Sequence, residues 1–253
     1  MKRAVGYGLL FSTVLMTSVV VHLPAQVALS PLPLPEGLEL NGVEGTLWQG
    51  KSAQVRWQGM NLGDLNWDLH LSALLMAQLE ADVRFGRGSN MQLRGKGVLG
   101  MGINGPYAQD FLLSLPASQA VPWLPLPFPL MAQGQLELTV QQYRFGDPYC
   151  QQATGNLVWS AAQVESPLGA LDLGTVVSDF SCQESVLNLQ GGQKTVGRLS
   201  SEFSLNLQPD SRYQAQAWFK PEAGFPESLN EPLKWLPQPD GQGRYQFNQQ
   251  GQL

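Results

Sequence analysis

The chain has 253 residues and a formal net charge of −5, with 27 glycines, 18 prolines and only 14% charged residues. This composition is typical of a turn-rich folded protein and excludes a disordered one. Without Lys2 and Arg3, the remaining 13 basic residues face 20 acidic ones, so the body carries a charge near −7. Because affinity for nucleic acid comes from cations that neutralise phosphates, this charge excludes nucleic acid as a partner.

The N-terminal segment is the strongest single signal in the sequence. Lys2 and Arg3 precede an uncharged run from Ala4 to Val21, 18 residues long, and such a helix measures about 27 Å, close to one bilayer core. The positive-inside rule then predicts a cytoplasmic tail at residues 1–3 and a transmembrane anchor at residues 4–23. Two alternatives stay open. A cleaved signal peptide is disfavoured by the length of the run and the lack of a clean A-x-A site, and a buried core helix is disfavoured by the length alone.

The rest of the chain predicts a mainly β fold. Apolar and polar residues alternate with a period of two, which is typical of strands with one buried and one wet face. Turn-forming residues separate these short segments and favour antiparallel meanders. Two short helices are predicted near residues 116–121 and 226–233, each with proline in its first turn. The clearest alternating segments are residues 65–71, 79–85, 135–140, 202–207 and 213–219.

Five sequence blocks recur in the same order and predict an internal duplication. The G-T-L-W block that begins at Gly45 corresponds to G-N-L-V-W at Gly155, an offset of 110 residues, and later blocks recur at offsets of 112 and 109. We therefore predict two tandem homologous units, residues 36–146 and 150–253. Each would be a β-meander with a short Pro-flanked helix and a closing strand. The motif residues singled out in this way are Gly45, Leu47, Trp48 and Gly50, their counterparts Gly155, Leu157 and Trp159, and the pair Trp123 and Trp235.

Two cysteines, Cys150 and Cys182, are 32 positions apart. An exported body lies in an oxidising compartment, so we predict that they form a disulfide. The alternative is a pair of buried free thiols. A zinc site is disfavoured because His22 and His70 lack ligand spacing relative to the cysteines.

No catalytic, cofactor-binding or metal-binding residue is predicted. His70 is the sole histidine outside the N-terminal run, and no G-x-S-x-G, phosphate loop or C-x-x-C is present. The acidic residues of the early strands occupy alternating polar positions and are expected to face solvent. The seven tryptophans are interpreted as core anchors, with an apolar ligand groove or sugar stacking as alternatives. The acidic residues in question are Asp64, Asp68, Glu80 and Asp82.

Two blocks carry a resemblance to a known family. They are V-E-G-T-L-W-Q-G at residues 43–50 and G-x-Y-x-F at residues 243–247, and together with the short tail and single anchor they resemble the type II secretion system protein N family. The resemblance covers essentially the whole chain, and G-T-L-W-x-G is its most specific part. It implies a bitopic protein of the bacterial inner membrane with a cytoplasmic N-terminus and a periplasmic body. It further implies an accessory role in a machine that exports folded proteins across the outer membrane, and no catalytic residues.

The function predicted from the sequence is therefore non-enzymatic. The expected partners are other subunits of the type II secretion system and, through the N-terminal helix, the membrane; no cofactor is expected. Exposed sheet edges and Pro-rich connectors are the expected docking surfaces. The G-T-L-W-x-G block also occurs loosely in AsmA-like proteins, so the alternative is an AsmA-like β-sheet protein that binds or shields lipid in the periplasm.

Overall fold

The computed structural model describes residues 2–31, 35–123, 130–166, 169–193 and 197–252, and of residues 2–6, 8–10 and 123 it describes the backbone only. The helices are α1 (Lys2–Val21), α2 (Ala25–Leu29), α3 (Leu71–Leu74), α4 (Ala117–Ala120) and α5 (Asn230–Leu233), with 3-10 turns at Val121–Trp123 and Glu227–Leu229. The strands are β1 (Leu38–Gly45), β2 (Gln49–Trp57), β3 (Met60–Leu69), β4 (Leu79–Phe85), β5 (Arg94–Gly102), β6 (Gly105–Pro116), β7 (Met131–Arg144), β8 (Gln152–Ser166), β9 (Gly169–Gln183), β10 (Val186–Gln193), β11 (Leu199–Leu207), β12 (Arg212–Pro221) and β13 (Tyr245–Gln252).

In the described part of the chain, 13 strands form one sheet whose spatial order is the order of the sequence. Every neighbouring pair is antiparallel, because each connection returns the chain directly beside the strand it has just left. Gln58 and Gly59 between β2 and β3 both have positive φ, as do Glu184 and Ser185 between β9 and β10. Two left-handed residues in a two-residue turn match the right-handed twist of the flanking strands. The prediction of a mainly β, antiparallel meander is confirmed.

One face of this sheet is apolar. Leu136, Leu138 and Val140 of β7 pair with Trp159, Leu157 and Gly155 of β8. On the other side of β7, Leu136, Leu138 and Val140 pair with Leu115, Leu113 and Phe111 of β6. The alternate positions, such as Gln135 and Glu137, lie on the polar face. This is the period-two pattern predicted from the sequence.

Small side chains dominate the fully buried positions. The described strands form one sheet with no second sheet packed against it, and a single layer cannot enclose a large side chain on all sides. Most of the larger apolar residues of the apolar face are therefore half-buried. The deepest positions described are Ala25, Ser52, Ala117, Cys150, Ala153, Ala162, Ser178, Cys182 and Ser185.

The predicted strands and helices lie where the patterns place them. Residues 79–85 coincide with β4, and the other four alternating segments fall within β3, β7, β11 and β12, apart from residues 70–71, which follow the end of β3. Pro116 directly precedes α4, and Pro226 directly precedes the 3-10 turn before α5. Proline suits these positions because a first-turn amide has no partner within the helix.

The two predicted tandem units are not shown by the structure. β7 and β8, which lie on either side of the predicted boundary, pair from Met131 to Arg144 as closely as strands within either half. In the first block, Gly45 is the last residue of β1, and residues 46–48 form the turn that follows. The second block, Gly155–Trp159, lies inside β8. The two blocks are therefore not equivalent in place. The division into residues 36–146 and 150–253 stays a prediction.

The predicted anchor, residues 4–23, corresponds largely to α1. Among the residues that the structure describes, no helix is long and apolar enough to cross a membrane. The transmembrane span therefore stays a prediction from the sequence.

Candidate functional site

The G-T-L-W-Q-G motif forms the tight turn between β1 and β2. Gly45 has a φ of 91°, and a Cβ there would lie 2.6 Å from the carbonyl oxygen of Gln49. The Thr46 amide donates to the Gln49 carbonyl over 2.9 Å, and the Gln49 amide donates to Thr46 Oγ1 over 3.2 Å. Glycine is required at the first position because only glycine adopts this backbone without strain or collision.

The same turn holds the end of the N-terminal helical segment. The Leu47 amide donates to the carbonyl of Leu23 over 2.9 Å. The indole Nε1 of Trp48 donates to the carbonyl of Val20, in the last turn of α1, over 2.8 Å. The Val20 carbonyl also accepts from the Leu23 amide over 3.3 Å, so the indole adds a second bond to a carbonyl at the end of the helix, where carbonyl groups lack regular helical partners. The motif thus fixes α1 relative to the first strands.

The opposite side of the turn is fixed to the sheet. Trp67 of β3 donates from Nε1 to the Leu47 carbonyl over 3.0 Å, and the Leu69 amide donates to the Trp48 carbonyl over 2.6 Å. The six-membered ring of Trp67 lies over Gly50, where any Cβ would collide with it. We call residues 45–50 with Trp67 the helix clamp, because their backbone and indole groups bond α1 on one side and β3 on the other.

The second block of predicted motif residues, Gly155, Leu157 and Trp159, packs within the sheet, whereas the first block bonds the end of α1. Gly155 lies in β8 beneath the ring of Phe180, where a Cβ would collide with that ring and with a neighbouring backbone oxygen. Leu157 is opposite Ser178 of β9, and Trp159 Nε1 donates to the Gln133 carbonyl over 2.9 Å. These contacts fix the packing of the central strands. They do not form a second clamp, since Trp159 bonds within the sheet.

The remaining tryptophan predictions have mixed outcomes. Trp235 is 77% exposed and Trp57 is 48% exposed, so the interpretation of every tryptophan as a core anchor is wrong for these two. Both lie near the ends of elements, where a single sheet offers no covering layer. The side chain of Trp123 lies outside the described residues, so its predicted equivalence to Trp235 stays a prediction.

The predicted disulfide between Cys150 and Cys182 is confirmed, with Cα atoms 6.4 Å apart. Its sulfurs pack with Ala153 in a buried cluster. Beside them the buried Ser185 hydroxyl accepts bonds from the amides of Tyr149 and Cys150 and lies 3.0 Å from the Asp147 carbonyl. The bond therefore ties the loop between β7 and β8 to the end of β9.

Sequence reasoning missed a charged cluster around His70. Its Nδ1 lies 2.7 Å from Glu80 Oε1, and its Nε2 lies 2.7 Å from Asp82 Oδ2. Tyr107 donates its hydroxyl proton to Glu80 Oε2 over 2.6 Å. Glu80 is partly buried, so the expectation that it faces solvent like its neighbours is wrong. The missed signal was the position of His70 directly after β3, opposite the start of β4.

Hydrogen bonds within the cluster shift the pKa values of His70, Glu80 and Tyr107. Hydrogen bonds to Glu80 and then to Asp82 raise the pKa of His70. The bond from Tyr107, and then that from His70, lowers the pKa of Glu80. Burial, followed by the bond to Glu80, raises the pKa of Tyr107 to about 12. The cluster thus favours a protonated imidazole between two carboxylates.

The cluster predicts a pH-dependent stability. A raised histidine pKa stabilises the fold fully below its unfolded value of 6.5, and this contribution is lost as the pH rises through the folded value. The lowered pKa of Glu80 contributes above 4.5 and is lost as the pH falls through its folded value. His70→Gln should therefore lower the melting temperature more at pH 6 than at pH 9. The difference should be modest, because 33% of the His70 side chain is exposed to screening solvent.

Thermal unfolding of the full chain at the two pH values measures this difference. Asn248→Gln, a change at a position without an ionisable side chain, should give the same shift at both pH values. An equal loss at pH 6 and pH 9 for His70→Gln would show that the cluster does not titrate with folding.

The described residues contain no group of three or more His, Cys, Asp or Glu side chains placed to hold a metal ion. The His70 cluster itself has its imidazole nitrogens and its carboxylate oxygens bonded to one another. The helix clamp, in contrast, joins α1 to the first strands through backbone and indole hydrogen bonds.

The fold and the clamp define a single-sheet β-meander protein whose N-terminal helix is fixed to its first strand turn. The family model of type II secretion system (T2SS) protein N matches residues 36–248. Across its whole length the chain is 82% identical, over 253 residues, to all of the type II secretion system protein N of Vibrio cholerae serotype O1. It is 38% identical over 259 residues to that of Aeromonas hydrophila, with both proteins fully covered. It is 30% identical over 253 residues to that of Klebsiella pneumoniae, and this match covers all of the chain and 97% of the relative.

The chain belongs to the type II secretion system protein N family. No solved structure matches it. The relatives named above share one description, and the AsmA-like alternative is not favoured.

Proposed function

We propose that this protein is a non-enzymatic accessory component of the type II secretion system that supports export of folded proteins across the outer membrane. It acts by holding a partner subunit at a free sheet edge while its N-terminal helix fixes it in the inner membrane. The proposal rests on the chain's membership of this family and on one structural observation: β13, at the edge of the sheet, is unprotected. Its seven side chains other than Gly251 are neutral, and the strand contains no proline.

Edge strands expose unpaired backbone groups, and folded proteins normally protect them with charges, prolines or bulges. β1, at the opposite edge, is protected in this way: it carries Glu39 and Glu44, and Gly42 and Gly45 have positive φ. β13 pairs with β12 from Tyr245 to Gln252 without a register shift. A straight, uncharged edge suits the addition of a strand from another protein, with affinity from backbone hydrogen bonds.

A charged residue on β13 should therefore impair secretion. In a strain that lacks the protein, the wild-type chain should restore export of a type II substrate to the medium. Asn248→Lys should restore it poorly, since a charge at an edge opposes strand addition. The matched control is Asn41→Lys on the β1 edge, where the residue is also exposed. For each variant, the amount of substrate in the culture supernatant measures export, and co-purification of the other subunits measures binding.

Equal export by the two lysine variants would exclude β13 as the docking edge. If the strain that lacks the protein exports the substrate as well as the wild-type strain does, the accessory role itself is contradicted.

The membrane placement is the second element of the proposal. The uncharged run after Lys2 and Arg3 supports an anchor at residues 4–23 with residues 1–3 in the cytoplasm. The Cys150–Cys182 disulfide supports a periplasmic body, because such bonds persist in oxidising compartments. Intact-mass analysis of the membrane fraction should find Met1 or Lys2 as the first residue. A mature chain that begins after Ala25 or Ser30 would contradict a retained anchor.

A further inference from the structure

The strand connections of this sheet fall at two opposite ends. Because neighbouring strands are antiparallel, every second connection lies at the same end. The helix clamp between β1 and β2 therefore shares its end with the β3–β4 connection at residues 70–78 and the β5–β6 turn at residues 103–104. We call residues 71–79 and 99–107, which include most of these two connections, the apolar rim. The rim lies beside the clamp, since Leu69, bonded to the Trp48 carbonyl, is two residues before its first segment.

The apolar rim is uncharged and strongly exposed. Residues 71–79 read L-S-A-L-L-M-A-Q-L, and residues 99–107 read L-G-M-G-I-N-G-P-Y, with no ionisable group other than Tyr107. Leu75 is 91% exposed, Ile103 88% and Met76 74%. The two segments adjoin, because Leu79 of β4 pairs with Met101 of β5. Other exposed apolar side chains of the same segments are Leu71, Leu74, Leu79, Leu99 and Met101.

Several other described connections carry charged residues, and the exposed apolar side chains of Trp57, Met60 and Met131 lie at the end of the sheet opposite the clamp. At the same end of the sheet but farther from the clamp, the connections carry Asp147, Glu184 and Asp210. At the opposite end, Trp235 is exposed but lies next to Lys234 and near Glu231, which pair with each other. An exposed apolar surface of this kind marks a contact site, and it occurs beside α1.

The position of α1 identifies the surface that the rim contacts. Its described side chains, including Phe11 and Met16, are exposed, and its last turn is bonded to the clamp through Val20. The ionisable groups beside the rim include His70, Glu80 and Asp82, which bind one another, and Arg144, which lines the same cavity as Gln78 and Ile103. Leu, Met and Ile side chains gain free energy when they leave water for the boundary between lipid head groups and acyl chains.

We infer that the apolar rim is seated in the interfacial layer of the lipid bilayer into which α1 is inserted. This inference rests on the membrane placement proposed above for α1. The clamp fixes the helix end and the rim at the same end of the sheet, so insertion of one brings the other to the membrane surface. The sheet then stands on the bilayer by its early strands, with β13 at the edge farthest along the sheet from the anchor.

Site-specific fluorescence of the full chain in vesicles tests this. Leu75→Cys and Ile103→Cys introduce single free thiols, because Cys150 and Cys182 are bonded to each other. Both positions are exposed enough for the change to leave folding intact. Each variant is labelled with a polarity-sensitive fluorophore and reconstituted into phosphatidylethanolamine–phosphatidylglycerol vesicles. The control is Gln242→Cys, exposed at the opposite end of the sheet.

We expect a blue shift of the label at residues 75 and 103 and loss of its emission with nitroxide-labelled lipids, and neither at residue 242. Water-like, unquenched emission at 75 and 103 in vesicle-bound protein would overturn the inference and leave the proposed secretion role intact. A shift in native membranes but not in pure vesicles would also overturn it, since a protein would then cover the rim. If alkaline pH washes the protein from the vesicles and the labels show no shift, both the rim contact and the anchor are contradicted. The secretion role is tested separately, by the export measurement described above.

Discussion

Replacing both Cys150 and Cys182 with alanine is expected to lower the free energy of unfolding by about 3–4 kcal/mol. The bond closes a loop with a sequence separation of 32 residues, and such a closure removes roughly that much conformational freedom from the unfolded chain in the entropy model. The change also removes two buried sulfur atoms from the cluster with Ala153. Urea unfolding of the purified full chain, with and without reductant, measures the loss.

The location of the bond explains why this loss should be cooperative. Tyr143, Phe180 and Leu187 pack on the bonded pair, so the cluster spans strands β7 to β10 at the middle of the sheet. In a single-layer sheet whose buried residues are mostly small, a side-chain cluster that connects four strands is an important source of stability. Wild-type protein in reductant should unfold at the same urea concentration as the double variant. A variant that unfolds at the wild-type midpoint would show that strand pairing alone holds this region.

The local pattern of the sequence predicted most of the fold. Period-two alternation located β4 to the residue, and Pro116 and Pro226 located the two short helical segments before β7 and β13. The same information could not settle how many units the sheet forms. Pairing between β7 and β8 depends on contacts across a predicted boundary, and repeated sequence blocks carry no information about such contacts. The similarity of Gly45 and Gly155 reflects a shared need for a residue without a side chain, since a Cβ at either would collide with backbone atoms.

The candidate site was located by the sequence but not explained by it. The motif from Gly45 to Gly50 stands out as a block, yet its main partners are backbone carbonyls of Val20 and Leu23 and the indole of Trp67. Main-chain partners leave no residue signature. His70, in contrast, was visible as a lone histidine, but its two carboxylate neighbours become evident only when β4 is placed beside β3.

Gly50→Val is expected to disrupt the helix clamp. A Cβ at this position would collide with the six-membered ring of Trp67 and lie 2.9 Å from the Glu44 carbonyl oxygen. Inserting extra carbon into a close-packed contact typically costs about 1–3 kcal/mol. The ring must move to relieve the collision, and its movement breaks the 3.0 Å bond from Trp67 Nε1 to the Leu47 carbonyl. Because Leu47 also bonds Leu23, the end of the helical segment loses part of its attachment.

The loosening should appear between the helix and the first strand. Limited digestion with elastase should cleave the variant faster than the wild type within residues 22–37, while cleavage elsewhere stays unchanged. Gly241→Val is the matched control, because nothing lies within 4 Å of a Cβ at that position. Equal cleavage of the Gly50 and Gly241 variants would contradict a clamping role for the motif.

Trp67→Phe separates the two causes of this effect. Phenylalanine keeps an aromatic ring over Gly50 but cannot donate to the Leu47 carbonyl, so it removes the bond without adding a collision. If the bond holds the turn, Trp67→Phe should raise cleavage within residues 22–37 to an intermediate rate. If only the collision matters, its cleavage should match the wild type. Combining Trp67→Phe with Gly50→Val should then add little to the single Gly50 change, because both act on one contact and their effects on the free energy of unfolding are not independent.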